Sequence, residues 1–156
     1  MKEVSILGAT GSIGLNTLEV ISRHTDKYKV FALSANKSWQ KMLLLCKTHM
    51  PTYAVLVDPD AAESLRKTAP EGVTVLSGEN ALIEIASHKE VDYVMAAVVG
   101  STGMESTLAA VGAGKRVMLA NKESLVLAGD LLINATKKSG AELIPVDSEH
   151  SAIFQC

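Results

Sequence analysis

Val4-Ser5-Ile6-Leu7-Gly8-Ala9-Thr10-Gly11-Ser12-Ile13-Gly14 is a short apolar run that breaks into three glycines and continues as a helical pattern. It reads as a first strand, a phosphate-cradling turn and the N-terminus of a helix. Glycine lets a backbone turn sharply and approach a pyrophosphate to contact distance, and the amides opening the next helix supply donors and the positive end of a dipole. The stretch therefore predicts a bound dinucleotide. Its G-x-x-G-x-x-G spacing is one residue off the usual G-x-G-x-x-G fingerprint, so its position directly after the first strand counts for more than the spacing.

Past the turn, Ile13, Thr17, Leu18 and Ile21 recur at helical spacing, and 28–33 reads as a second strand that completes a βαβ unit. NAD-specific domains usually end that strand in an Asp or Glu for the ribose 2'-hydroxyl, whereas this chain has Ser34-Ala35-Asn36-Lys37-Ser38. A carboxylate would repel a 2'-phosphate and Lys37 would attract it, so NADP is expected over NAD. Residues 39–50 carry a crowded apolar face, with Met42, Leu43, Leu44, Leu45 and Cys46, and stop at Pro51. Asp58-Pro59-Asp60 predicts an N-cap with proline at the first helical position, after a strand over 53–57 and before a helix over 61–69.

Further strands are expected over 74–76, 91–99, 116–119 and 142–144, with helices over 79–87, 104–112 and up to 139. The nearly continuous apolar run 91–99 belongs near the middle of a parallel sheet, buried on both faces. Alternation of strand and helix throughout implies an α/β, Rossmann-like doubly wound fold, with a mostly parallel sheet and helices on both faces.

The 156 residues, 47% hydrophobic and 21% charged, suit one domain with a sizeable core. A net charge of -2 with dispersed Lys and Arg, and aromatics at 4%, weigh against nucleic acid as a partner. Met1-Lys2-Glu3 runs straight into the first strand and no apolar run approaches membrane-spanning length, so a cytoplasmic protein with no membrane partner is expected. Cys46 and Cys156 form neither a metal spacing nor a disulfide framework.

The polar residues that scaffold does not explain follow strand ends: Thr10 to Ser12, Asn36 and Lys37, Ser101 and Thr102, Asn121 to Glu123, and Asp147 to Glu149. Ligands of open α/β sheets bind outside the carboxyl ends of the strands, so these loops converge on one expected site. Capping is the competing role for some of them, Glu123 or Ser124 for one helix and Asp147 for another starting near Ser148. Asp147 and Glu149, two residues apart, would point to one side of an extended backbone. Paired carboxylates are hard oxygen ligands suited to Mg²⁺ or Mn²⁺, with the remaining ligands from water, substrate oxygens or other protein.

Gly8-Ala9-Thr10-Gly11-Ser12-Ile13-Gly14, Met95-Ala96-Ala97-Val98-Val99-Gly100, Leu119-Ala120-Asn121-Lys122-Glu123-Ser124-Leu125 and Pro145-Val146-Asp147-Ser148-Glu149-His150 stand in the order found in 1-deoxy-D-xylulose 5-phosphate reductoisomerases. The chain resembles that family along essentially its whole length. The resemblance implies an enzyme using NADPH and a divalent metal (Mg, Mn or Co) to rearrange a ketose phosphate and reduce the product to 2-C-methyl-D-erythritol 4-phosphate, in non-mevalonate isoprenoid synthesis. It implies that Thr10, Gly11, Ser12 and Ile13 hold the cofactor phosphates, that Lys37 lies near the 2'-phosphate with Asn36 also at the cofactor, and that Asn121 and Glu123 touch the nicotinamide side. Lys122 would face the sugar-phosphate substrate as a catalytic residue, Ser148 would contact it, and Asp147 and Glu149 would hold the metal, with Glu149 also at the substrate. The family commonly has glycine before the basic residue and asparagine after it, where this chain has Asn36 and Ser38.

The same resemblance makes 1–150 the NADPH-binding domain and 151–156 the start of a catalytic domain, in a parent protein that is a homodimer. On that reading the chain alone lacks turnover. The alternatives are a nucleotide-binding module without catalysis, or another glycine-turn NADP-dependent reductase. Short-chain dehydrogenases need Tyr followed four residues later by Lys, but Tyr28, Tyr53 and Tyr93 are followed by Ala32, Val57 and Ala97. Acyl-phosphate and semialdehyde reductases need a cysteine nucleophile after a strand, and Cys46 falls within a helical run.

Overall fold

The computed structural model describes residues 1–120 and 122–146. In chain order they form β1 (Lys2–Leu7), α1 (Ser12–Arg23), β2 (Tyr28–Ala35), α2 (Trp39–His49), β3 (Tyr53–Leu56), α3 (Pro59–Arg66), β4 (Thr74–Ser77), α4 (Glu79–Ser87), β5 (Tyr93–Ala96), α5 (Ser101–Gly112), β6 (Arg116–Leu119), α6 (Lys122–Ser139) and β7 (Glu142–Pro145). The strands make one seven-stranded sheet in the order β4-β3-β2-β1-β5-β6-β7. Every pairing in it is parallel. The fold is the expected Rossmann-like α/β architecture, and β5 lies beside the central β1.

The period-2 alternation of β1 sorts its side chains onto two cores. Val4 and Ile6 pack with Leu18 and Ile21 of α1, Met42 and Cys46 of α2, and Leu65 of α3. Leu7 joins Leu82 and Ile85 of α4, Val111 of α5 and Leu132 of α6. Ser5 lies on the α4 side, fully buried, and its hydroxyl donates to the Ile85 carbonyl at 2.8 Å, which meets the hydrogen-bonding demand of a polar side chain in the core. Asp58 caps α3 as its position before proline predicts, accepting from the Ala61 amide at 2.9 Å with Pro59 at the first turn.

Several expectations shift in detail. The strand expected over 91–99 is regular only over Tyr93–Ala96, because the chain must leave the sheet to reach the switch-point loop. α5 begins at Ser101 rather than 104, and Gly103 allows its first turn to sit on the strand end: a Cβ there would lie 2.3 Å from the Val98 carbonyl oxygen. Leu44 points to solvent while Met42 and Cys46 are buried, since five consecutive residues cannot share one face of a 3.6-residue helix. Ile13 is 37% exposed instead of facing the core. α6 runs to Ser139 as expected but departs from helical geometry at Ala128, and Gly140 follows it with φ 74°.

Candidate functional site

The order of the strands reverses direction after β4: the chain crosses from that edge to the other side of β1, where β5 begins the second half of the sheet. The loops after β1 and β5 therefore diverge to opposite faces and leave a crevice at the carboxyl ends, the usual ligand position in such sheets. The two loops touch. Ala97 donates to the Leu7 carbonyl at 3.0 Å, and a Cβ on Gly8, whose φ is +85°, would lie 2.8 Å from the Ala97 carbonyl oxygen. Ser34 at the end of β2 anchors the same turn: its hydroxyl oxygen accepts from the Gly8 amide at 3.1 Å, and its carbonyl accepts from the Ala9 amide at 2.7 Å.

Beside this contact lies a crevice of about 390 Å³, bounded by Thr10 and Gly11 of the glycine turn, Asn36 after β2, Val57 after β3, Glu79 and Leu82 of α4, and Val98 and Thr102 around the start of α5. Its Asn36 wall is tied to the loop after β3, since the Asp58 amide donates to the Asn36 carbonyl at 3.1 Å. The Asp58 carboxylate is engaged in capping α3, so this neighbouring acid is turned to its own helix.

Three helices open onto the switch point and none is capped by a side chain: α1 behind Gly11, α2 behind Ser38 and α5 behind Gly100. None carries an acid in its first turn. The other three helices each do, with Asp60 in α3, Glu79 in α4 and Glu123 in α6. Unpaired first-turn amides carry partial positive charge, and an acid nearby would cancel it. The site is thus built to receive negative charge at α1, α2 and α5.

The glycines of the turn divide by what demands them. A Cβ on Gly14 would lie 2.4 Å from the Gly8 carbonyl oxygen and 2.6 Å from the Ala9 Cα, so α1 could not pack on the turn. Gly8 is demanded by its φ and by Ala97. A Cβ on Gly11 would meet only the Gly8 carbonyl oxygen at 3.6 Å, an ordinary contact, and the Gly11 backbone (φ -82°, ψ 170°) suits any residue. Position 11 is the N-cap of α1, where Ser, Thr, Asp or Asn would serve the helix better than glycine. Packing does not require glycine at 11, and glycine there leaves the first-turn amides of α1 open to close approach.

Thr10 and Gly11 line the crevice, and Ser12 and Ile13 open α1 with exposed side chains, which brings the four expected phosphate-binding residues together. Asn36 lines it as well, and Lys37 is exposed next to it with no ion pair among the described residues. Glu123 lies exposed in the first turn of α6 and Lys122 is that helix's first residue. Asn121, Asp147, Ser148 and Glu149 lie outside the described residues, and among the described ones no three metal-ligating side chains come together. Ser34, Val57, Glu79 and Leu82 are lining residues that sequence reasoning passed over. Ser34 alone carried a signal, as a polar residue closing an apolar strand.

Two groups with chemical potential lie away from the crevice. Cys46 is buried in α2 and burial raises its thiol to about 11, which keeps it a neutral core side chain. Lys115 is 8% exposed and donates to the Val91 carbonyl at 2.6 Å, at the amino end of β5 and β6. Burial pulls its ammonium below the usual lysine range while the Asp92 carboxylate opposes that shift. Among the described residues no helix is long and apolar enough to cross a membrane.

Residues 4–129 match the family model for 1-deoxy-D-xylulose 5-phosphate reductoisomerase. The chain is 56% identical, over all 156 residues and 41% of the relative's length, to a protein of that name from Ruthia magnifica subsp. Calyptogena magnifica. It is 60% identical over its full length to one from Shewanella sp. (strain ANA-3), covering 40% of that relative. The Zymomonas mobilis reductoisomerase in complex with NADPH superposes with a TM-score of 0.95 at 46% identity, over 99% of this chain and 41% of that one. The chain thus spans about two fifths of the length of the relatives it matches.

Gly8→Ala and Gly14→Ala should each lose about 1–3 kcal/mol or more by overpacking, lowering the melting temperature by roughly 3–10 °C for a domain of this size. Gly11→Ser should melt no lower than the unaltered chain, since serine caps α1. A Gly11→Ser as unstable as Gly14→Ala would show that the fold, not a ligand, demands glycine at 11.

Proposed function

The chain belongs to the 1-deoxy-D-xylulose 5-phosphate reductoisomerase family, and on that premise we propose that residues 1–150 are the NADPH-binding domain of an enzyme converting 1-deoxy-D-xylulose 5-phosphate to 2-C-methyl-D-erythritol 4-phosphate. The reaction is a metal-assisted rearrangement followed by hydride transfer, within non-mevalonate isoprenoid synthesis. Residues 151–156 begin the catalytic domain, and the parent protein is a cytoplasmic homodimer.

The observation that carries this reading is the uncapped N-terminus of α1 behind Gly11, a position whose glycine the packing leaves unexplained. A pyrophosphate seated there accepts from the first-turn amides of Ser12, Ile13 and Gly14 and lies beside Thr10. α2 repeats the arrangement on a smaller scale. Its first turn lacks both a side-chain cap and an acid, and Asn36 and Lys37 stand directly before it, which suits a 2'-phosphate. The open N-terminus of α5 adds positive potential from the other side of the switch point.

Asn121 and Glu123, at the start of α6, would touch the nicotinamide side, and Lys122 would face the substrate. NADPH supplies the hydride, and the chain's residues set where it is delivered. Asp147 and Glu149 hold the divalent cation, their hard oxygens matching its preference, and Ser148 and Glu149 contact the substrate. A cation there supplies charge that stabilises negative charge developing on substrate oxygens during the rearrangement. The remaining ligands come from the substrate, water and the rest of the parent protein.

Two experiments test the assignments. Lys37→Glu should weaken NADPH binding by about tenfold or more while changing NADH binding by less than about threefold, because only NADPH carries the phosphate that Lys37 attracts. Equal losses for both cofactors, measured by fluorescence titration, would make Lys37 a surface charge.

In the full-length protein, Asp147→Asn and Glu149→Gln should abolish turnover and leave the NADPH dissociation constant nearly unchanged, since the phosphates are held at the glycine turn. An Asp147→Asn protein that is destabilised yet fully active per folded molecule would make Asp147 a helix cap.

A further inference from the structure

Glu79 breaks the charge pattern of the crevice. The helices meeting at the switch point keep acids out of their first turns, but Glu79 opens α4 and lines the same crevice. Its carboxylate is not turned away to serve its own helix. Oε1 accepts from the Thr102 hydroxyl of α5 at 3.1 Å, a bond linking the starts of two helices across the crevice wall. The carboxylate is solvent-exposed in the open crevice, with further lone pairs to offer. Between it and the glycine turn the lining is apolar, with Val57, Leu82, Ala97 and Val98.

A dinucleotide has two flat rings without charge, the base of its nucleotide half and the reduced nicotinamide, and the reading above takes the nicotinamide to the start of α6, which leaves the base for this crevice. With the phosphates drawn to α1 and α2, that base is left with the apolar lining for its faces and the α4 start for its edge. A carboxylate accepts hydrogen bonds and donates none, so it favours an amino group and disfavours a carbonyl oxygen at the same position. We propose that Glu79 is a specificity-determining residue that accepts a hydrogen bond from the 6-amino group of the purine, so that the crevice selects adenine over a 6-oxopurine. This rests on the dinucleotide reading above and adds to it the residue that reads the base.

The test compares NADPH with its hypoxanthine analogue, in which an oxo group replaces the 6-amino group, binding to the 156-residue chain and to Glu79→Leu and Glu79→Gln. The unaltered chain should bind NADPH about threefold or more tightly than the analogue, because the analogue loses a hydrogen bond and sets a carbonyl oxygen against the carboxylate. Glu79→Leu should bring that ratio to about one, mainly by weakening NADPH. Glu79→Gln, close in shape and keeping an acceptor oxygen, should hold an intermediate ratio. Equal binding of both ligands by the unaltered chain, or a ratio unchanged in both variants, would overturn the role of Glu79 and leave the cofactor assignment standing. If the unaltered chain binds neither ligand, the cofactor assignment itself falls.

Discussion

The close approach of the loops after β1 and β5 is the constraint on which the rest of the molecule depends. Gly8 meets Ala97 at a separation no Cβ would tolerate, and Gly14 meets the carbonyl of Gly8 in the same way. These contacts seat α1 on the central strand with its N-terminus aimed across the switch point. Had either position carried a side chain, the helix would be displaced and its amides would no longer face the crevice. The sheet supplies what makes this tolerable: β1 is flanked by three strands on each side and faces an apolar core on both surfaces, so the turn is built on the central, buried strand.

Charge distribution follows the same geometry. Acids are absent from the first turns of α1, α2 and α5 and present in those of α3, α4 and α6. α3 bears its acid beside the Asp58 cap, and the α4 acid, Glu79, lines the crevice. A net charge near neutrality conceals this partition, because what matters for a bound anion is the field within one turn of a helix end.

Much of this was legible in the sequence. Strand and helix alternated cleanly enough to identify the fold, and the cap at Asp58 and the stop at Gly140 were readable because those residues have local jobs. The glycine turn that lines the crevice was legible because it follows a strand end directly. What escaped were features created by tertiary contact. Gly103 looked like a loop residue, although it lets α5 start early against Val98. Ile13 matched a helical stripe but lies in the first turn, beyond the edge of the core. Glu79 read as an ordinary helix-start acid, and only the crossover from β4 to β5 brings it to the crevice and to Thr102. No periodicity in the chain signals such a juxtaposition, since the two residues are 23 apart.

The central claim is that the first-turn amides of α1 are kept open for the phosphates of NADPH. Following backbone amide resonances of the chain during NADPH titration addresses it most directly. The account predicts saturable shifts that are largest at Gly11, Ser12, Ile13 and Gly14, with a second group around residues 36–38, while Asp92 and Lys115 at the opposite end of the sheet stay unmoved. Shifts centred on that opposite end, or α1 amides that remain in place while NADPH binds, would contradict it.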